Sequence, residues 1–177
     1  AQATTVSGDA FQARKDINDW PAGASFEFRL TALAASAPLP QGLTGGTDDN
    51  GNAYVSKSVS DGAVFSFGDV EFSKPGQYAY LITERTPDEA DRELGVSYSD
   101  AVYRIDVTVT DDGAGKLSAA YEMKNTYDTS GLPIADPPVI SDNIAVITNQ
   151  YHLDSTKIGP LGDKVYTDNG DNGLTMG

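Results

Sequence analysis

Hydrophobic and polar residues alternate in short stretches along most of the chain. The clearest stretch is Gly76–Glu84, where Tyr78, Tyr80 and Ile82 fall on one side of a period of two. Such alternation, opened by Pro75-Gly76, predicts a β-strand with one buried face. Glu84 has the parity of the apolar residues, so the strand would direct a carboxyl group into the core. Because an isolated buried carboxylate is costly to ionise, we expect Glu84 to be protonated or paired.

The same alternation predicts further strands, and no stretch shows sustained helical periodicity. The predicted strands cover residues 10–17, 25–33, 54–59, 64–72, 101–110, 116–123 and 143–151. Turn-forming residues predict long loops at 34–52 and 129–142, and a loop with one helical turn at 86–94. Several short strands separated by turns predict an all-β sandwich.

The composition changes after Tyr151 and suggests a domain boundary near Leu153. Residues 1–151 are predicted to form one β-sandwich domain. Residues 152–177 have few large apolar side chains and much glycine, aspartate and asparagine, which is typical of a linker. The alternative is a truncated first strand of a following domain, because residues 162–166 have a strand-like pattern.

Charge and composition exclude several classes of function. The 177 residues carry 26 acidic and 12 basic side chains, a net charge of -14, which argues against nucleic acid and against an anionic membrane surface as partners. There is no cysteine, so neither a disulfide framework nor a thiolate site is available. With His152 as the single histidine, a multi-histidine metal site and a Ser-His-Asp triad are not expected.

Two acidic segments, at residues 48–51 and 168–173, are candidate calcium-binding loops. Neither follows the alternating acidic spacing and distant glutamate of a calcium-binding loop, so turn formation explains them better. We therefore expect neither a metal nor a cofactor. The apolar runs are also shorter than the ~20 residues that cross a bilayer.

Three predicted strands each place one polar residue on an apolar face: Lys15, Glu84 and Asn149. A desolvated lysine loses its charge more easily and becomes a nucleophilic amine. A buried glutamic acid can carry protons, and a carboxamide beside an amine is an electrophile. If the strands are neighbours, Lys15 and Asn149 could form an amide bond with release of ammonia. Parity alone leaves an ordinary buried salt bridge between Lys15 and Glu84 as the alternative.

Four motifs carry a resemblance to a known family. They are Gly76-x-Tyr78-x-Tyr80-x-Ile82-x-Glu84, Gly95-Val96-Ser97-Tyr98, Tyr103-x-Ile105-x-Val107-x-Val109 and Thr148-Asn149-Gln150-Tyr151. Together with Lys15-x-Ile17 and Trp20 they cover roughly residues 11–151. This set resembles the streptococcal-pilin isopeptide-linkage domains, which belong with the CnaB-type domains of Gram-positive pilins and surface adhesins.

The resemblance implies an immunoglobulin-like, CnaB-type sandwich with a self-formed bond between Lys15 and Asn149, and with Glu84 as the catalytic proton shuttle. A second segment, Lys124-Asn125-Thr126-Tyr127, also resembles the closing motif. It falls on the strand that should precede the closing strand, so the resemblance favours Asn149. The bond would form once in each molecule, so no enzymatic turnover is expected.

The implied function is that of a structural module in a pilus or adhesin that is secreted, displayed on the cell surface and anchored in the cell wall through its parent protein. Its partners would be neighbouring domains of that protein. The first alternative is an adhesin module that binds host protein or glycan through residues 34–52 or 129–142. The second is an accessory domain of an enzyme. A further possibility is that Lys157 or Lys164 joins another domain or subunit.

Overall fold

A computed structural model describes residues 2–153 of the chain, and the part described consists mainly of strands. The strands are β1 (Thr4–Val6), β2 (Gln12–Ile17), β3 (Phe26–Ala32), β4 (Thr44–Thr47), β5 (Ala53–Val59), β6 (Phe65–Ser66), β7 (Val70–Phe72), β8 (Gly76–Glu84), β9 (Val96–Ser97), β10 (Val102–Asp111), β11 (Leu117–Tyr127) and β12 (Ile144–Tyr151).

The longer strands form two sheets that enclose the core. The larger sheet has the order β11-β10-β8-β3-β5-β4, and the smaller has the order β6-β2-β12-β9, while β1 pairs with β7. This arrangement confirms the predicted all-β sandwich. Alternating side chains make the core: Phe26, Phe28 and Leu30 of β3 point inward, as do Ile105 and Val107 of β10. Burying one face of each sheet against the other supplies most of the driving force for folding.

Helical structure within residues 2–153 is limited to two single 3₁₀ turns, Gly8–Ala10 and Glu89–Asp91. The second lies in the loop for which one helical turn was predicted. In this part of the chain no helix is both long and apolar enough to cross a lipid bilayer.

The β2–β12 pair determines where the polar core residues meet. These two strands run parallel, although they lie near opposite ends of the described chain, and their register runs from Ile144 opposite Gln12 to Asn149 opposite Ile17. The other strand pairs described are antiparallel. The parallel pair places the early and the closing strand side by side in the smaller sheet.

The prediction of a single strand over residues 64–72 is wrong. This segment forms β6, which pairs with β2, and β7, which pairs with β1. Gly68 lies between them with φ of 114°, a conformation that interrupts an extended strand and that favours glycine. The Ser66 hydroxyl accepts a hydrogen bond from the Gly68 N–H at 3.0 Å and stabilises the break.

The long strand β11 extends to Tyr127, beyond its predicted end at residue 123. The remaining strands that were missed are short. The loop predicted at residues 34–52 contains β4, a glycine-rich strand that pairs with β5 at the edge of the larger sheet. The two-residue β9 and the three-residue β1 were not predicted. Such strands contain too few residues to show an alternating pattern. The strand-like segment predicted at 162–166 lies outside the described residues, so the domain boundary near Leu153 stays a prediction.

Candidate functional site

Lys15 lies in the interior of the sandwich, on the inward face of β2, and is 1 % exposed. Its Nζ donates a hydrogen bond to Oε2 of Glu84 at 2.6 Å. The aromatic rings of Phe26 and Phe28 lie on the opposite sheet, with centroids 5.3 and 5.5 Å from Nζ. These rings exclude water from the amine and offer it attractive contacts only while it is charged.

Glu84 is the last residue of β8, and its carboxylate crosses the core from the larger sheet. Oε2 accepts hydrogen bonds from both Lys15 Nζ, at 2.6 Å, and Asn149 Nδ2, at 2.9 Å. Oε1 accepts a third from the backbone N–H of Ser99 at 3.1 Å. The Ser99 hydroxyl in turn accepts from the N–H of Ala101 at 3.0 Å, which fixes the turn that presents this donor. One carboxylate therefore holds the amine and the carboxamide together.

Asn149 completes the cluster from β12 and is fully buried. Its Nδ2 is bound to Glu84, but its Oδ1 has no hydrogen-bond partner among residues 2–153. Leaving a buried amide oxygen unpaired costs about 1–3 kcal/mol. Unsatisfied buried polar atoms are rare and call for an explanation. This one is the atom that would gain negative charge if a nucleophile attacked the Asn149 carboxamide.

Burial lowers the pKa of Lys15 from 10.5 to about 8, and the opposing attraction of Glu84 only partly offsets this effect. At neutral pH a much larger share of this side chain is therefore neutral amine than in an exposed lysine. Only the neutral form can act as a nucleophile.

The structure brings together the three residues that the sequence singled out, each from a different strand. An amine, a carboxyl group and a carboxamide in a water-free site can carry out an aminolysis, or they can persist as a buried ion pair with a neighbouring amide. Sequence reasoning missed the Ser99 donor. It is a backbone group, and no side-chain pattern could have revealed it; its position directly after the Gly95–Tyr98 motif was the one available signal.

The other candidate residues lie elsewhere. Asn125 is on β11, where it pairs with Tyr103, and β10 separates β11 from β8 in the larger sheet. Lys157 and Lys164 lie outside the described residues, as does the acidic segment 168–173. In the acidic loop at 48–51, Asp48 Oδ1 accepts from the N–H groups of Asn50 and Asn52, as in an ordinary turn. Within residues 2–153, no three histidine, cysteine, aspartate or glutamate side chains converge as metal ligands.

Comparison with known proteins identifies one matching family model. The model of the FctA family, described as a Spy0128-like isopeptide containing domain, matches residues 11–152. These residues extend from just before β2 to just after β12 and include Lys15, Glu84 and Asn149. No curated protein matches the chain.

Among solved structures, the chain is similar to major pilins of Streptococcus pyogenes. One major pilin shares 21% identity with a TM-score of 0.40, over 84% of this chain and 50% of that one. The T3.2 pilin shares 15% identity with a TM-score of 0.44, over 85% and 54%. The T-13 pilin shares 18% identity with a TM-score of 0.39, over 85% and 55%. The chain thus spans about half the length of each.

Proposed function

The chain belongs to the family of Spy0128-like isopeptide containing domains. From this membership we propose that it is a structural module, stabilised by an amide bond that it forms by itself between Lys15 and Asn149. The observation that carries the proposal is that Glu84 Oε2 accepts hydrogen bonds from both Lys15 Nζ and Asn149 Nδ2 in the dry interior. An ion pair alone would not need a carboxamide bound to the same oxygen atom.

The first step is a proton transfer. The Lys15 ammonium gives a proton to Glu84 Oε2 along the 2.6 Å hydrogen bond, which produces a neutral amine and a carboxylic acid. The lowered pKa of Lys15 reduces the free energy that this transfer requires. Because the Ser99 N–H occupies Oε1, Oε2 is the oxygen that exchanges protons with the two reacting groups.

In the second step the lysine nitrogen attacks the Asn149 side-chain carbonyl carbon. A carbon–nitrogen bond forms, and the π-electron pair of the carbonyl moves to Oδ1. Glu84 then delivers its proton to Nδ2, the bond between Cγ and Nδ2 breaks, and ammonia leaves while the carbonyl re-forms. Nζ releases a second proton, which stays on Glu84, and keeps its third as the N–H of the new amide. Holding the groups in one site can supply about 7–11 kcal/mol of the barrier reduction.

The bond would strengthen the domain against mechanical force and stabilise it against unfolding. It would join β2 to the last part of β12 and enclose all of the strands between them in one covalent loop. Such a loop restricts the unfolded chain, much as a disulfide does. Unlike a disulfide it cannot be reduced, which suits a chain without cysteine that works outside the cell. It forms once in each molecule, so the domain is not a turnover enzyme.

We place this module in a longer pilus or adhesin protein that is secreted, displayed on a Gram-positive cell surface and anchored in the cell wall. Support comes from the family membership together with the pilin-like motifs that the sequence carries. Its partners are the neighbouring domains of the same protein, with residues 1–151 as the sandwich and 152–177 as a linker or the start of the next domain.

The intact mass of the purified chain tests this proposal. We expect the parent to be lighter than its sequence by one ammonia, and the Lys15→Ala, Glu84→Ala and Asn149→Ala variants to have full mass. Two matched controls, Lys57→Ala and Asn125→Ala, should still lose ammonia, because neither residue belongs to the cluster. A parent of full mass would rule out the bond and leave Lys15 and Glu84 as a buried ion pair.

A further inference from the structure

The side chain of Asn18 pairs with the backbone of Tyr151 in both directions. Its Nδ2 donates to the Tyr151 carbonyl at 2.8 Å, and its Oδ1 accepts from the Tyr151 N–H at 2.6 Å. This reciprocal pattern is the one that two directly opposed residues make in a hydrogen-bonded pair of an antiparallel sheet. The Asn18 amide thereby takes the place of a strand residue after β2 has ended.

This contact lies at the end of β12, where that strand would otherwise have a hydrogen-bonding neighbour on one edge only. The β2–β12 ladder ends at the pair Ile17 and Asn149, after which the chain leaves β2. β12 continues to Tyr151, and on its other edge β9 pairs with Gln150 and Tyr151. Strand ends fray when their backbone groups lack partners. With the Asn18 amide in place, Asn149 lies inside a segment that is held from both sides.

We propose that Asn18 is a positioning residue for formation of the Lys15–Asn149 bond, an inference that rests on the proposed function. Attack requires the lysine nitrogen to be held about 3–3.5 Å from the carbonyl carbon, and small displacements from such geometry lower rates strongly. Asn18 comes three residues after Lys15, and Tyr151 comes two residues after Asn149. The side chain therefore connects the two reacting strands immediately beyond the reacting groups.

The same strand pair contains a matched control at its other end. Asn143 Nδ2 donates to the carbonyl of Ala10 at 2.6 Å and to that of Asp9 at 3.3 Å, which holds the beginning of β12 against the chain before β2. Asn143 has φ of 56°, so glycine keeps its backbone conformation while removing both bonds. Asn143→Gly therefore loosens the β2–β12 pair far from the reacting groups.

The test follows ammonia loss by intact mass after a short pulse of cell-free synthesis of the whole chain. We expect Asn18→Ala to slow the reaction roughly tenfold or more. Asn18→Asp places a carboxylate oxygen opposite the Tyr151 carbonyl in place of the donor, and should be slowed as well. Asn143→Gly, and Asp19→Ala in the same turn, should react at nearly the parent rate.

Hydrogen exchange separates positioning from loss of folding. In a Lys15→Ala background, which cannot form the bond, Asn18→Ala should lose protection at the Tyr151 amide and keep it in β10. If the parent links and Asn18→Ala links at the parent rate, the positioning role is wrong while the proposed function stands. Equal slowing by Asn143→Gly would also overturn the positioning role, because loosening the β2–β12 pair at either end would then be enough to slow the reaction. A parent that never loses ammonia overturns both.

Discussion

Lys15 and Asn149 occupy diagonal positions on the inner face of one parallel strand pair: Lys15 is in register with Ile147, and Asn149 with Ile17. Diagonal neighbours on a sheet are close enough for a long side chain to span. Neither residue needs to leave its strand in order to reach the other, and Glu84 approaches both from the opposite sheet. The geometry thus places an amine and a carboxamide on one sheet, and a carboxyl group that binds both on the other.

The covalent tie should appear in the thermodynamics of unfolding. A link that closes a loop of ~100 residues stabilises a domain by about 4–5 kcal/mol. Asn149→Ala should therefore lower the free energy of unfolding by about 4–5 kcal/mol more in the parent than in a Glu84→Gln background. In that background no bond forms, so the substitution removes only local contacts. Urea unfolding of the four proteins measures this difference. If Asn149→Ala destabilises the two backgrounds by amounts that agree within about 1–2 kcal/mol, the contribution of one hydrogen bond, this result would contradict the proposed covalent bond.

The pH dependence of stability should differ between linked and unlinked protein. In the unlinked chain, burial lowers the pKa of Lys15 from 10.5 to about 8 on folding, and we expect the same burial to lower it in Asn149→Ala. Below pH 8 both states hold the proton, and the cost of burying the ammonium is fully present. Between these two pKa values the unfolded state binds more protons, so the free energy of unfolding rises with pH.

In a parent that carries the proposed bond, Lys15 would be an amide and would titrate in neither state, so this rise should be missing. Urea unfolding of parent and Asn149→Ala at several pH values from 7 to 11 provides the comparison. Parallel curves would mean either that the parent contains no amide at Lys15 or that burial does not lower the pKa of this amine.

Tension applied between the two ends of the domain should not unfold residues 15–149 of the parent. Force would pass from β2 through the bond to β12 and bypass the strands between them. In single-molecule pulling, the parent should lengthen only by residues outside 15–149, whereas Glu84→Ala should unfold in an added step. That step should release roughly 3.4 Å for each residue between the two positions. An identical step in the parent would contradict the proposed path.

The fold class and most of the strands could be predicted from the sequence because alternation is a direct consequence of burying one face. Gly76–Glu84 was predicted with the bounds that the structure has, and the family model confirms the resemblance to isopeptide-linkage pilin domains. The break within residues 64–72 does leave a signal in the sequence: Phe65 and Phe67 share one parity, whereas Val70 and Phe72, which follow Gly68-Asp69, share the other.

The site could be predicted only in part. Parity identified Lys15, Glu84 and Asn149 as inward-facing polar residues, but parity says nothing about which strands are neighbours. The parallel pairing of β2 with β12, distant in the chain, is what makes them meet. Contacts that involve backbone groups, such as those of Ser99 and Asn18, depend on tertiary structure and leave no mark in a pattern of side chains.

Peptide mapping tests the central claim most directly. If Nζ of Lys15 is acylated by Asn149, trypsin cannot cleave after Lys15, and residues 15–29 should appear joined to residues 125–157 as one branched peptide that lacks one ammonia. Fragmentation should place the branch at Lys15 and Asn149, and the Glu84→Ala variant should yield the two segments separately. Linear peptides 16–29 and 125–157 of full mass from the folded parent would contradict the account.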